Sequence, residues 1–172
     1  MACTGAIRTL VDYLNYSNAS TVDARFCNLF SETIKLTSAP ELPATTLAEY
    51  CYSGMFTYCI RLTEAPALPA TTLAKECYSN MFEGCTSLNT VPTLPAETLA
   101  AGCYSGMFRV CKNLKNVTML ATDISAESCL SYWLYEVAKE GTFTKAAEMT
   151  SLPSGNGDAS IPSGWIVQNY TE

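Results

Sequence analysis

The hexapeptide CYSGMF stands at residues 51–56 and returns unchanged at residues 103–108. Midway between the two copies, residues 77–82 read CYSNMF, with asparagine in place of glycine. The hexapeptide thus recurs every 26 positions, and the similarity extends beyond it. LTSAPELPATTLAEYCYSGMFTYCIR, residues 36–61, matches LTEAPALPATTLAKECYSNMFEGCTS, residues 62–87, at 17 of 26 positions. A period of about 20 to 50 residues is typical of proteins built from stacked repeats.

The repeats divide the chain into three parts. A third copy covers residues 88–113, and a fourth copy, which has lost most of the shared residues, covers 114–139. A repeated unit of this size needs special ends, because an uncapped stack exposes its interior. The predicted parts are an N-terminal cap, four repeats and C-terminal capping strands, at residues 1–35, 36–139 and 140–172.

Each repeat changes its pattern halfway along. In the first copy, Pro40 and Pro43 forbid a helix over the opening residues and keep the residues before them extended. The second half then spaces its apolar residues by about four positions, which is typical of one helix face. These residues are Leu47, Cys51, Met55, Phe56 and Cys59. The sequence therefore predicts an extended segment followed by a short helix in each repeat, and an α/β solenoid for the whole chain.

Equivalent side chains of successive repeats are expected to form columns inside the protein, because one repeat cannot bury its own apolar residues. The predicted columns are Cys51, Cys77, Cys103 and Cys129; Phe56, Phe82 and Phe108; and Leu42, Leu68, Leu94 and Leu120. An amphipathic helix over 6–16 and a degenerate half-repeat over 23–36 are predicted to cap one end. Strands within 141–149 and 164–170 are predicted at the other end, as a hairpin or as edge strands.

Composition excludes several classes of function. The chain has no histidine, which removes Ser-His-Asp and Cys-His catalysis and histidine metal sites. Its net charge of −6 and pI near 4.6 argue against nucleic acid or an anionic membrane as a partner. No apolar run has the length of a membrane helix, and the first residues lack the apolar stretch of a secretion signal. Acidic positions also change between repeats, so we predict no enzyme.

The nine cysteines raise the question of a metal site or disulfides. Seven residues separate Cys51 from Cys59, whereas about two to four residues separate the two cysteines of a typical zinc-binding pair. A disulfide framework stays open, but the odd number and the chain length favour reduced, buried thiols. Residues 154–160, SGNGDAS, have some likeness to calcium-binding turns, and we interpret them as a polar turn. No metal and no cofactor are predicted.

Recognition is predicted on the extended segments, which form the usual contact surface of stacked repeats. The candidate face consists of variable positions that are mostly small and polar: Thr37, Glu41, Thr63, Glu64, Asn89, Thr93, Lys115 and Met119. Such positions suit a shallow recognition surface better than a catalytic pocket. A second surface would be an aromatic stripe for sugars or proteins, made by Tyr52, Tyr78 and Tyr104, although we favour interior packing for these rings.

Residues 62–88 resemble the BspA-type leucine-rich repeats of bacterial surface proteins, especially those of gut anaerobes. The resemblance rests on MFEGCTSL at 81–88, which matches the MF-x-GC-x-SL element of that family, and on similar elements at 55–62 and 107–114. It covers residues 22–139, and the tail also resembles the ending of such proteins. The resemblance implies a short right-handed leucine-rich-repeat solenoid, binding to host proteins, to other cells or to extracellular matrix, and no reaction.

The predicted function is therefore a non-enzymatic module that binds a protein or a glycan in surface adhesion or recognition. The alternative is a protein of a phage or mobile element, which acts as a virion component or as an inhibitor bound to a bacterial host protein. The expected location is the cell surface or the secreted fraction if a signal was removed, and otherwise the phage particle or the bacterial cytoplasm. Open ends and strand edges also allow pairing with a second copy of the chain.

Overall fold

The structure, a computed structural model, describes residues 26–150, 152 and 159–171. The predicted cap helix over 6–16 and most of the polar turn over 154–160 lie outside these residues. Three short strands form one parallel sheet in sequence order: β1 (Asn116–Met119), β2 (Gly141–Lys145) and β3 (Trp165–Asn169). The part of the chain that the structure describes contains no helix.

A chain of four-residue turns replaces the helix that we predicted in each repeat. In the first repeat every fourth residue has a positive φ, with values of 56° at Tyr50, 61° at Gly54 and 55° at Tyr58. The N–H groups between these residues close tight turns, such as Met55 N–H to the Tyr52 carbonyl at 3.2 Å. Leu47, Cys51, Met55 and Cys59 are all buried, because each turn returns one side chain to the interior.

The other N–H groups of these turns bond to the next repeat. Tyr52 N–H donates to the Cys77 carbonyl at 3.0 Å, and Phe56 N–H donates to the Met81 carbonyl at 2.9 Å. An α-helix would satisfy all such groups within its own segment. Here the stacked neighbour supplies half of the partners, so the turns need the stack. A spacing of four positions between apolar residues fits both geometries, and this is why the helix prediction is wrong.

Aromatic columns run through the interior of the stack. Phe30, Phe56, Phe82 and Phe108 stack in sequence with ring centroids 5.5–5.8 Å apart. A second column joins Tyr52, Tyr78 and Tyr104 at 5.9–6.0 Å. These tyrosines are at most 1% exposed. The alternative of an exposed aromatic stripe is therefore excluded, because the rings face the interior.

Residues 26–35 stack on the first repeat in the same manner as the repeats stack on one another. Phe26 N–H donates to the Cys51 carbonyl at 3.1 Å, and Phe30 N–H donates to the Met55 carbonyl at 2.9 Å. The Phe26 ring also stacks on Tyr52, with centroids 5.7 Å apart. This segment therefore lies where the second half of a preceding repeat would lie.

The fourth repeat has a different register from the first three. Its opening residues, KNVTML, contain no proline, so they can pair as the continuous strand β1, whereas earlier repeats make only isolated bridges. Leu94 pairs with Met119, one position before Leu120, and Met119 is fully buried. The placement of Met119 on the candidate face is therefore wrong. Met119 takes the interior leucine position that we had assigned to Leu120, which is half-buried.

The C-terminal strands continue the parallel ladder. Asn116 lies opposite Thr142, and Thr142 lies opposite Ile166. The hairpin alternative is wrong, because β2 and β3 run in the same direction. Trp165 donates from Nε1 to the Ala138 carbonyl at 2.7 Å and is buried, whereas the other four residues of β3 are exposed. β3 is the outer strand of the sheet, and Ile166 is 66% exposed there.

The alternation of glycine and asparagine in the hexapeptides has a structural cause. Asn28, Gly54, Asn80 and Gly106 occupy one column, and all four have positive φ. A Cβ atom at Gly54 would collide with Oδ1 of Asn28, and a Cβ atom at Gly106 would collide with Oδ1 of Asn80. Each asparagine side chain thus occupies the space beside the glycine of the next repeat. An asparagine in this column is therefore followed, one repeat later, by a glycine.

We expect Gly84→Ala to destabilise the protein by at least about 1–2 kcal/mol. Gly84 has a φ of 71°, and an L-residue in the left-handed region costs about that much. The new Cβ atom would also lie 2.5 Å from Cε1 of the Tyr58 ring. Urea unfolding of the single variant, and of Gly84→Ala combined with Tyr58→Ala, would separate the cost of the backbone conformation from the cost of the contact with the Tyr58 ring. Only the part caused by the ring should be recovered in the double variant, and an unchanged midpoint for Gly84→Ala would contradict the prediction.

Candidate binding face

Seven of the eight residues predicted for the candidate face are exposed. Thr37, Thr63, Asn89 and Lys115 occupy the same position in four successive repeats. Glu41 and Thr93 share a second position of the repeat, and Glu64 adjoins Thr63. The eighth residue, Met119, lies in the interior.

Backbone pairing between repeats holds the face in place. Glu64 and Thr90 form a parallel bridge, and Asn89 N–H donates to the Thr63 carbonyl at 3.0 Å. Ala65 N–H donates to the Thr90 carbonyl at the same distance. Side chains of neighbouring repeats are therefore presented at the regular spacing of parallel strands, about 4.8 Å.

Part of the face converges on a shallow cleft of about 190 Å³. Thr37, Ser38, Thr63 and Glu64 line it, together with Ala39, Ala65 and Pro66. The Ser38 Oγ atom is buried and has no hydrogen-bond partner within the described residues. The cleft therefore offers the Glu64 carboxylate to a ligand, whereas the buried Ser38 hydroxyl is not accessible to one.

A second depression continues from this cleft, and we call it the proline groove. Its volume is about 360 Å³, and its lining consists of Ala39, Pro40, Glu41, Leu42, Pro43, Pro66, Ala67 and Pro69. Ala39 and Pro66 line both the cleft and the proline groove. Of the predicted residues, Glu41 lies in the proline groove. Asn89, Thr93 and Lys115 are exposed but line neither depression.

A third depression was missed by sequence reasoning. Glu97, Thr122, Glu148 and Tyr170 line it with Pro95, Leu120, Ala146 and Ala147, and its volume is about 350 Å³. Its residues come from the third repeat, the fourth repeat and the tail. Backbone pairing between these segments brings them together, such as Thr122 N–H to the Glu97 carbonyl at 2.9 Å. The available sequence signal was Pro95, which repeats the position of Pro43 and Pro69.

The buried thiols serve as hydrogen-bond donors between repeats. Cys85 donates from Sγ to the Phe56 carbonyl at 3.0 Å, and Cys111 donates to the Phe82 carbonyl at 3.1 Å. Burial raises the pKa of Cys59 to about 11 and that of Cys103 to about 12, and it also raises the pKa of Cys77, Cys85 and Cys111. All eight described cysteines are free thiols. Because the thiolate is the nucleophile, this environment suppresses cysteine chemistry.

Within residues 26–150, 152 and 159–171, no three His, Cys, Asp or Glu side chains are grouped so that they could hold a metal ion. In the same part of the chain, no helix has the length and apolar character that crossing a membrane requires. Comparison of the chain with protein-family models, with curated proteins and with solved structures found no match.

Proposed function

We propose that this chain is a non-enzymatic binding module, a stacked-repeat solenoid that recognises a protein or a glycan through the candidate face. The observation that carries the proposal is the convergence of Thr37, Thr63 and Glu64 on one cleft that continues into the proline groove. These residues come from the first two repeats, which pair through Thr46 and Thr72, and Glu64 is also held by its bridge to Thr90 in the third repeat. A ligand of extended shape would contact several layers at once.

The assignment to the BspA-type family and the location at a bacterial surface belong to the same proposal. The pattern that recurs every 26 positions supports them, since each copy supplies the same interior and the copies differ at exposed positions such as Thr63, Asn89 and Lys115. The proposal also includes pairing of two copies of the chain through the outer edge of β3, and the exposed Ile166 and Val167 support it. Sedimentation of the purified protein over a range of concentrations would test self-pairing.

A capture experiment with purified, immobilised protein tests the proposal. One mixture is host extracellular protein with mucin glycans, and the other is bacterial lysate. Thr63→Arg places a large side chain at the cleft, and Glu127→Arg adds the same side chain at an exposed position in the turns. We expect saturable capture from the extracellular mixture that is lost with Thr63→Arg and retained with Glu127→Arg.

Two outcomes would change the proposal. Stoichiometric capture of one bacterial protein from lysate, with no capture from the extracellular mixture, would favour the phage-type inhibitor over the surface module. Equal capture by both arginine variants would place recognition elsewhere on the molecule and would overturn the role of the cleft.

A further inference from the structure

We infer that the proline groove and the adjoining cleft bind a positively charged, extended segment of a partner protein, with lysine or arginine side chains beside Glu41 and Glu64. This inference rests on the proposed function and names the class of its partner. Three observations carry it: the distribution of charge over the described residues, the small number of N–H groups in the lining of the groove, and the absence of aromatic rings from that lining.

The charge of the described residues is uneven. The extended side comprises residues 36–47, 62–73, 88–99, 114–124 and 141–148, and the turn side comprises the described residues between them and at 26–35. The extended side contains five carboxylates and only two lysines, Lys115 and Lys145. The carboxylates are Glu41, Glu64, Glu97, Asp123 and Glu148. On the turn side, by contrast, seven acidic residues are nearly balanced by six basic ones.

The carboxylates of the extended side are also uncompensated. The single ion pair among the described residues joins Arg109 to Glu83 at 3.3 Å, and both residues belong to the turn side. Lys145, one of the two lysines of the extended side, already donates to Oδ1 of Asn169 at 3.0 Å and to the Ala146 carbonyl. An approaching cation would therefore meet negative potential on the extended side, with little competition from the protein's own cations.

The lining of the proline groove is poor in hydrogen-bond donors. Four of its eight residues, Pro40, Pro43, Pro66 and Pro69, have no N–H group, because proline has none. Glu41 adds a carboxylate, which accepts hydrogen bonds only. Lysine and arginine side chains are the complement of such a lining, since they donate and never accept. Their aliphatic stems would lie on the apolar floor, with the charged ends at the carboxylates.

The lining favours a peptide over a glycan. Neither the proline groove nor the adjoining cleft contains an aromatic side chain on which a sugar ring could stack. Alternate side chains of an extended peptide lie about 6.6 Å apart, so two of them can reach the cleft and the groove together.

Synthetic peptides of eight residues test the inference by fluorescence anisotropy. The probes alternate serine with lysine or serine with glutamate, and an N-acetylglucosamine tetramer serves as the glycan probe. The site variant is Glu41→Gln with Glu64→Gln. The control variant is Glu127→Gln with Glu136→Gln, which removes the same charge from exposed positions of the turn side. All measurements are made on the full chain at 50 and 300 mM NaCl.

We expect the lysine peptide to bind, and we expect its affinity to fall at 300 mM salt. The site variant should bind it about fivefold more weakly, and the control variant should change its affinity by less than about twofold. If the two variants lost the same affinity for the lysine peptide, the net charge of the protein alone would explain binding, and the inference would be overturned. Binding of the glycan without the lysine peptide would also overturn it. If Thr63→Arg still abolished capture in either case, the proposed function would stand while this inference failed.

Discussion

Raising the pH from 8 to 10 is expected to lower the free energy of unfolding by several kcal/mol and to bring the protein close to its unfolding midpoint without denaturant. Cys77, Cys85, Cys103 and Cys111 are buried, and burial raises the pKa of each thiol. These thiols stay protonated in the folded protein, whereas thiols of the unfolded chain ionise at about pH 8.5.

The sign follows from the proton balance. Above about pH 8.5 the folded state binds more protons than the unfolded state, so the free energy of unfolding falls as pH rises. The stabilisation is complete below about pH 8.5 and is lost progressively above it. Each thiol contributes about 1.4 kcal/mol per pH unit, hence about 2 kcal/mol at pH 10 and roughly 8 kcal/mol for the four. Total stabilities of proteins are about 5–15 kcal/mol.

Urea unfolding followed by circular dichroism at pH 7, 8, 9 and 10, under reducing conditions, measures the slope. Cys85→Ala removes one of the titrating groups, so its slope between pH 9 and 10 should be shallower by about 1.4 kcal/mol per pH unit. Met81→Ala is the matched control, because Met81 is equally buried and does not titrate. That variant should be less stable at every pH with the wild-type slope. A free energy of unfolding that stays constant from pH 8 to 10 would contradict the prediction.

Phe82→Ala is expected to destabilise the protein by about 3–5 kcal/mol, the usual range for a fully buried phenylalanine. Phe82 is fully buried in the middle of its column, with the Phe56 ring centroid at 5.5 Å and that of Phe108 at 5.8 Å. Its loss leaves a cavity and interrupts the ring stacking on both sides. Because its N–H bonds to Met107 in the next repeat, the gap also lies at the junction of two repeats.

Two further variants define the scale of this effect. Phe82→Leu keeps most of the volume and should cost less than about 1.5 kcal/mol if the interior repacks. Ile60→Ala removes a side chain that is 40% exposed, so its cost should be about 0.5 kcal/mol. Equal midpoints of urea unfolding for Phe82→Ala and Ile60→Ala would show that the column does not stabilise the stack.

The sequence predicted the interior of the repeats well, because identical residues at one spacing need identical surroundings. The Cys51, Cys77 and Cys103 column and the Phe56, Phe82 and Phe108 column are buried in the structure. Pro40 and Pro43 likewise indicated extended segments, since proline fixes φ and lacks a donor. The candidate face was predicted on these extended segments, and its exposed residues lie at positions that vary between copies, such as Thr63, Asn89 and Lys115.

Local spacing could not distinguish a helix from the observed chain of turns. Residues such as Leu47, Cys51 and Met55 are four positions apart, which fits both structures. The turns are stabilised by N–H groups that bond to the next repeat, such as Gly54 N–H to the Ser79 carbonyl at 2.8 Å. These partners exist only in the stack. Tertiary pairing therefore overrides the local tendency of this segment.

By itself the sequence determined the repeat length, the buried columns and the extended proline segments, because each depends on residues that recur every 26 positions. Only the tertiary structure decided the register of the fourth repeat, which places Met119 inside. Stacking also decided that Glu97 and Glu148 line one depression. It also decided that Glu41 and Glu64 line neighbouring depressions. Register and convergence depend on hydrogen bonds between repeats, and these are set by how the copies stack.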